Sequence, residues 1–178
     1  MKKYLPIMLF LFFYSGVSEA NCTHRTLRCI NTSLGLLEQK TLSESNDGYS
    51  HLSLNGKEIY KAKASYIVVG YDEDGIFKDK KYYLTKATVS YTSDDPCYPD
   101  KPGAHCGMNA ILDLTSGRPI ISNGFFSEFG ESKITWVSWG KANSIIVIDD
   151  ELRFKYSNGH VERVTNAKDS MTDNKAKE

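Results

Sequence analysis

The sequence predicts an all-β protein, a single antiparallel β-sandwich or barrel built as a meander of about ten strands. Three observations predict it. Short segments rich in Val, Ile, Thr, Tyr and Phe recur along the chain, and these side chains fit a pleated, half-buried surface. Turn-forming pairs separate the segments at close spacing: Asn55-Gly56, Asp74-Gly75, Asp149-Asp150 and Asn158-Gly159. Charge alternates with apolar side chains in Leu152, Arg153, Phe154, Lys155 and Tyr156, so Leu, Phe and Tyr face inward and Arg and Lys face water. Consecutive hairpins make every neighbouring pair antiparallel, and each strand can keep one wet face.

Residues 1–20 read as a secretory signal peptide. Met1, Lys2 and Lys3 give a positive start, residues 5–14 are apolar apart from Pro6, and Ser18 and Ala20 supply the small residues of a cleavage site before Asn21. The apolar run is about a dozen residues, whereas a spanning helix needs roughly 20. No stable membrane anchor is therefore expected, and the exported chain is placed in a bacterial periplasm or beyond the cell.

Export gives the cysteines a meaning. The four of them, Cys22, Cys29, Cys97 and Cys106, read as disulfides in an oxidising compartment. Their spacing suggests Cys22 with Cys29 and Cys97 with Cys106. A zinc site from Cys97, Cys106, His105 and a distant His51 or His160 lacks the usual close cysteine pair. No metal and no cofactor is expected.

Residues 21–48 are read as an N-terminal disulfide loop and a polar linker, with one or two helical turns over residues 33–39. Residues 49–164 carry the strands. Segments 49–54 and 57–63 flank Asn55-Gly56, and segments 65–71 and 81–91 flank Asp74-Gly75. Segments 110–114 and 119–122 flank Thr115, Ser116 and Gly117. A compact meander over residues 133–164 follows, and the polar residues 165–178 are expected to be a disordered tail.

The full chain has 22 basic and 22 acidic residues. Nucleic acid wants a concentrated basic field, so no nucleic-acid partner is expected, and charge alone does not draw this chain to an anionic membrane. Asp72, Glu73, Asp74 and Gly75 do not make a calcium loop, because the first and twelfth positions are Gly70 and Lys81. His105-Cys106-Gly107 has its glycine on the wrong side for a transpeptidase nucleophile, and Cys106 has a natural partner in Cys97. No nucleophile elbow occurs. The expectation is a protein that is not an enzyme, with no catalytic residues.

Two loops carry the candidate partner-binding residues. Residues 93–107 hold Tyr98, Asp100, Lys101 and His105 between prolines and a disulfide, and a pre-ordered loop loses little entropy on binding. Residues 123–132 hold Phe126 and Phe129, either as interface anchors or as a plug for the end of the sheet. Ser116-Gly117-Arg118 echoes the Ser-Gly loop of periplasmic lysozyme inhibitors over three residues, too few to place the chain among them. The expected function is an inhibitor or immunity protein whose partner is a cell-wall-targeting or other periplasmic toxin or enzyme. The alternatives are an envelope assembly module, a hydrolase, or a small-ligand-binding barrel.

Overall fold

A computed structural model describes residues 29–93, 106–128 and 131–164, the side chains of 71 and 72 excepted. Within them lie twelve strands and one short 3-10 turn, Leu42–Glu44. They form two sheets, where a single sandwich or barrel of about ten strands was expected. The first holds β1 (Cys29–Thr32), β2 (Gly35–Lys40), β3 (Ser50–Leu54), β4 (Lys57–Ala62), β5 (Val68–Lys78), β6 (Lys81–Ser93), β7 (Cys106–Asp113) and β8 (Ile120–Ile121). The second holds β9 (Ile134–Ser138), β10 (Asn143–Ile148), β11 (Leu152–Ser157) and β12 (His160–Arg163).

Side-chain alternation sets each strand's inner face. In β3, Ser50, Leu52 and Leu54 are buried while His51 and Ser53 are half-exposed, the period of two that a strand imposes. Asn55 and Gly56 then turn the chain at φ 52° and 75°, the mirror-image turn that matches strand twist. Asp149-Asp150 and Asn158-Gly159 turn the second sheet in the same way. As the alternation in β11 predicts, Phe154 and Tyr156 are buried and Arg153 is exposed.

The first sheet runs β4-β3-β2-β1-β6-β7-β8, with β5 on β6. Its edge strands β4 and β8 face each other across a cleft of about 480 Å³ lined by Leu54, Ile59, Pro119 and Ile121. The sheet is thus a nearly closed barrel. Leu37, Leu52, Ile67, Leu84, Val89 and Leu112 fill its core. The four-stranded sheet, ordered β12-β11-β10-β9, packs a second core of Ile111, Phe125, Ile146, Ile148, Phe154 and Tyr156. Strand β7 serves both: Ala110 and Leu112 face the barrel core and Ile111 the second one. A strand covered on both faces reads as a continuous apolar run, as Ala110, Ile111 and Leu112 do.

Three further expectations are corrected. Residues 33–39 are not helical: Cys29 pairs with Glu38 and Ile30 with Leu37 in an antiparallel hairpin. So short a segment gains little as a helix, and Gly35, at φ 124°, brings its backbone against the Asn55 side chain. The chain does not turn at Asp74-Gly75. Both lie inside β5 at a shift in register, and the turn is at Asp79 and Lys80, φ 51° and 63°. Finally, one neighbouring pair is parallel, because β1 meets β6 with Thr32 opposite Leu84.

Cys29 and Cys106 are both disulfide-bonded, and no free cysteine occurs among the described residues. Cys22 and Cys97 lie outside those residues.

Candidate functional site

Between the two sheets lies a cleft of about 370 Å³, walled by β6 and β7 at Ser90, Tyr91, Thr92, Gly107, Met108 and Asn109. Val68, Tyr66 and the approach to β9, Glu131 to Ile134, complete it. Its floor is the buried side chain of Asn109. The Ser90 hydroxyl donates to Asn109 Oδ1 at 2.7 Å, and Asn109 Nδ2 donates to the Ser132 carbonyl at 2.8 Å. Satisfying the amide in this way avoids the cost of a buried polar group without a partner.

The opposite wall is fixed with equal care. Ser132 sits at φ 58°, and its N–H donates to Asp149 Oδ2 at 3.2 Å, while the Lys133 N–H donates to Oδ1 at 3.0 Å. The Ser127 N–H donates to Ser132 Oγ at 2.7 Å. Gly107 lets the two walls meet, because a Cβ there would overlap the Glu131 carbonyl. The rim holds one carboxylate, Glu131, one ammonium, Lys133, and the ring of Tyr66, which is 55% exposed. On the barrel-core side, the Tyr60 hydroxyl donates to the Tyr91 hydroxyl at 3.0 Å, and burial pushes the Tyr60 phenol well above its ordinary pKa.

Among the described residues, no histidine or cysteine lines this cleft. The Ser90 hydroxyl is hydrogen-bonded to an amide oxygen, which cannot take a proton. An exposed ring over a pre-ordered polar floor is suited to holding a partner group, since its side chains need little ordering on contact.

A second cluster has the order of a catalytic triad. Ser45 Oγ lies 3.4 Å from His51 Nε2, and Glu58 Oε2 lies 2.5 Å from His51 Nδ1. A general base needs a free Nε2 to accept the serine proton. Here Asp47 Oδ1 holds Nε2 at 2.9 Å, and the Ser45 hydroxyl itself donates to Asp47. The hydrogen bond that the ring donates to Asp47, against a smaller opposing effect of burial and with help from Glu58, raises the His51 pKa. Asp47 in turn falls to about 2, through its bonds with Ser45 and His51. The cluster is a charged clasp between β3, β4 and the loop before β3.

A third cluster ties the two sheets. Lys86 Nζ on β6 donates to the Gly140 carbonyl at 2.8 Å and lies 3.8 Å from Asp113 Oδ2 on β7. The Tyr156 hydroxyl on β11 donates to the same oxygen at 2.8 Å. Burial alone would raise the Asp113 pKa, but the Thr115 hydroxyl and N–H, Tyr156 and Lys86 together lower it.

Of the residues singled out from the sequence, Tyr98, Asp100, Lys101, His105 and Phe129 lie outside the described residues. Phe126 is half-buried. Its neighbour Phe125 is buried, with its ring 5.1 Å from Phe154. Ser116, Gly117 and Arg118 form an exposed turn between β7 and β8. Sequence reasoning missed Tyr66, Asn109 and Ser132, which come together only through the packing of the two sheets. The His51–Glu58 contact had a local signal, since a tight turn at Asn55-Gly56 sets the two diagonally across one hairpin.

Among the described residues, no group of three or more His, Cys, Asp or Glu side chains is placed to hold a metal ion. No helix there is long and apolar enough to cross a membrane. In comparisons with known proteins, no family model, no curated protein and no solved structure matches this chain.

Proposed function

We propose that this is an exported, non-enzymatic binding protein, an inhibitor or immunity protein for a cell-wall-targeting or other periplasmic toxin or enzyme. One observation carries the reading. Thr92 and Gly107, which wall the cleft, stand beside Ser93 and Cys106, the paired strand ends from which residues 94–105 leave the sheet. The loop bearing Tyr98, Asp100, Lys101 and His105 therefore starts and ends at the rim of a pre-ordered cleft, with Tyr66 exposed alongside.

The disulfides in this reading are Cys22–Cys29 and Cys97–Cys106. Topology supports part of it. Thr32 stands opposite Leu84 on a strand parallel to β6, and Cys106 stands opposite Ser93, so Cys29, three residues before Thr32, is separated from Cys106 by roughly 40 Å along β6 at ~3.3 Å per residue. A disulfide spans Cα atoms no more than about 7 Å apart, so these two cannot be joined to each other.

The test is affinity capture followed by inhibition. The oxidised protein is immobilised and exposed to periplasmic and secreted extracts, and any stoichiometric partner is purified and assayed with the protein added back. The expected result is a partner whose activity is blocked at one-to-one ratio, with loss of capture for Tyr66→Ala and for Tyr98→Ala with Asp100→Ala. A partner captured equally well by these variants would overturn the site, and the absence of any partner would overturn the function.

A further inference from the structure

The β5–β6 hairpin ends in a tip that no other described element covers. Phe77 is 79% exposed and Ile76 is 51% exposed, and Lys78, Asp79, Lys80 and Lys81 around the turn are all exposed. Register places Phe77 opposite Tyr82, Ile76 opposite Tyr83 and Lys78 opposite Lys81. Among the described residues, β7 joins β6 only from Lys86 onward, and β1 touches it at Leu84. No third described strand is paired with Ile76 to Tyr83, so among the described residues the tip is a two-stranded ribbon.

That ribbon is held rigid from within. Tyr82 packs edge-on against Phe77, with ring centroids 5.4 Å apart at 63°. The Tyr82 ring also lies over Gly75, where any Cβ would overlap it. The exposed apolar side chains are thus presented on a fixed frame.

We propose that this tip docks the protein onto an anionic lipid surface, with Phe77 and Ile76 entering the interface and Lys78, Lys80 and Lys81 at the headgroup level. Two observations favour lipid over a protein groove. Neighbours in a strand point to opposite faces, so Ile76 and Phe77 project from both sides of the ribbon. A protein groove covers one face, whereas a lipid interface surrounds a tip. The turn also carries three lysines and one aspartate, a net positive collar beside apolar side chains, and lysine stems reach from an apolar layer to the headgroups. Overall charge, which is balanced, hides this local arrangement. The attachment is peripheral and needs no spanning segment.

The test is vesicle co-sedimentation of the oxidised exported protein at low salt. One set of vesicles is phosphatidylcholine alone, and the other has about a third of it replaced by phosphatidylglycerol, an amount that gives a surface potential strong enough to hold lysines. The expected result is binding to the anionic vesicles only, reversed by added salt. Binding should fall at least about tenfold both in Phe77→Ser/Ile76→Ser and in Lys78→Gln/Lys80→Gln/Lys81→Gln, since apolar insertion and lysine attraction act together. These side chains are exposed, so unchanged circular dichroism and melting temperature check that both variants are folded. Equal binding to neutral vesicles, binding unaffected by the variants, or no sedimentation with either set would each overturn the proposal. Partner capture by the cleft is scored separately and is unaffected by either outcome.

Discussion

Lys86→Met asks how strongly the two sheets are held together. Lys86 is 3% exposed and Asp113 7% exposed, so the pair is shielded from solvent and from salt. Methionine keeps the packed stem and removes the charge and the 2.8 Å bond to the Gly140 carbonyl. Removing one member of a buried ion pair costs about 3–5 kcal/mol, because the other is left uncompensated. Asp113 keeps the Thr115 N–H at 2.9 Å, the Thr115 hydroxyl at 2.6 Å and the Tyr156 hydroxyl at 2.8 Å. Those three donors place the expected loss at the lower end, about 3 kcal/mol. Asp113→Asn removes the need for a cation, so Lys86→Met/Asp113→Asn should be more stable than the sum of the single losses by about 1 kcal/mol. Urea unfolding of the oxidised protein at neutral pH, followed by far-ultraviolet circular dichroism, measures all three. A Lys86→Met loss below about 1 kcal/mol, the value of a solvated surface pair, would refute the account of a buried tie. Strict additivity of the two single losses would do the same.

The clasp around His51 makes stability depend on pH in one direction. Its folded pKa is raised above the ordinary 6.5, so its stabilisation is complete below 6.5 and is lost as pH rises through the folded value. Stability should therefore fall from pH 6 toward alkaline pH, and His51→Gln should flatten that slope; chemical denaturation across the range shows whether it does. Asp47→Asn should bring the His51 pKa down, read by the titration of its ring protons in NMR spectra. Asn109→Ala leaves the Ser90 hydroxyl and the Ser132 carbonyl unpartnered and should cost about 2 kcal/mol; an unchanged melting temperature would mean that water takes over both bonds. Gly107→Ala forces a methyl against the Glu131 carbonyl and should cost about 1–3 kcal/mol through overpacking, again read as a drop in melting temperature.

Local chemistry explains which parts of the fold were legible. Turns that carry their own code, such as Asn55-Gly56 and Asn158-Gly159, were readable because a positive φ selects those residues. The β11 pattern was readable because one face of that strand meets water. Asp74-Gly75 carries the same turn code, yet the strand continues through it, and the register of two long strands moves the turn to Asp79 and Lys80. The division into two sheets was not legible, because no local feature of β7 says that its two faces meet different cores. The cleft was hidden for the same reason. Tyr66, Asn109 and Ser132 lie far apart in the chain, and each is unremarkable in its own segment.

The parallel contact of β1 with β6 has a consequence for how the molecule assembles. Strands β1 to β4 pair in sequence with one another, as do β5 to β8 and β9 to β12. Each of these runs can zip from its own turns. Thr32 meeting Leu84, with the Ser33 N–H donating to the Leu84 carbonyl at 2.9 Å, is the seam that joins the first two runs across a long stretch of chain. Closing so long a loop costs entropy before any contact repays it. The barrel should therefore form late, as three locally made hairpin arrays dock, and weakening the seam should speed unfolding more than it slows refolding.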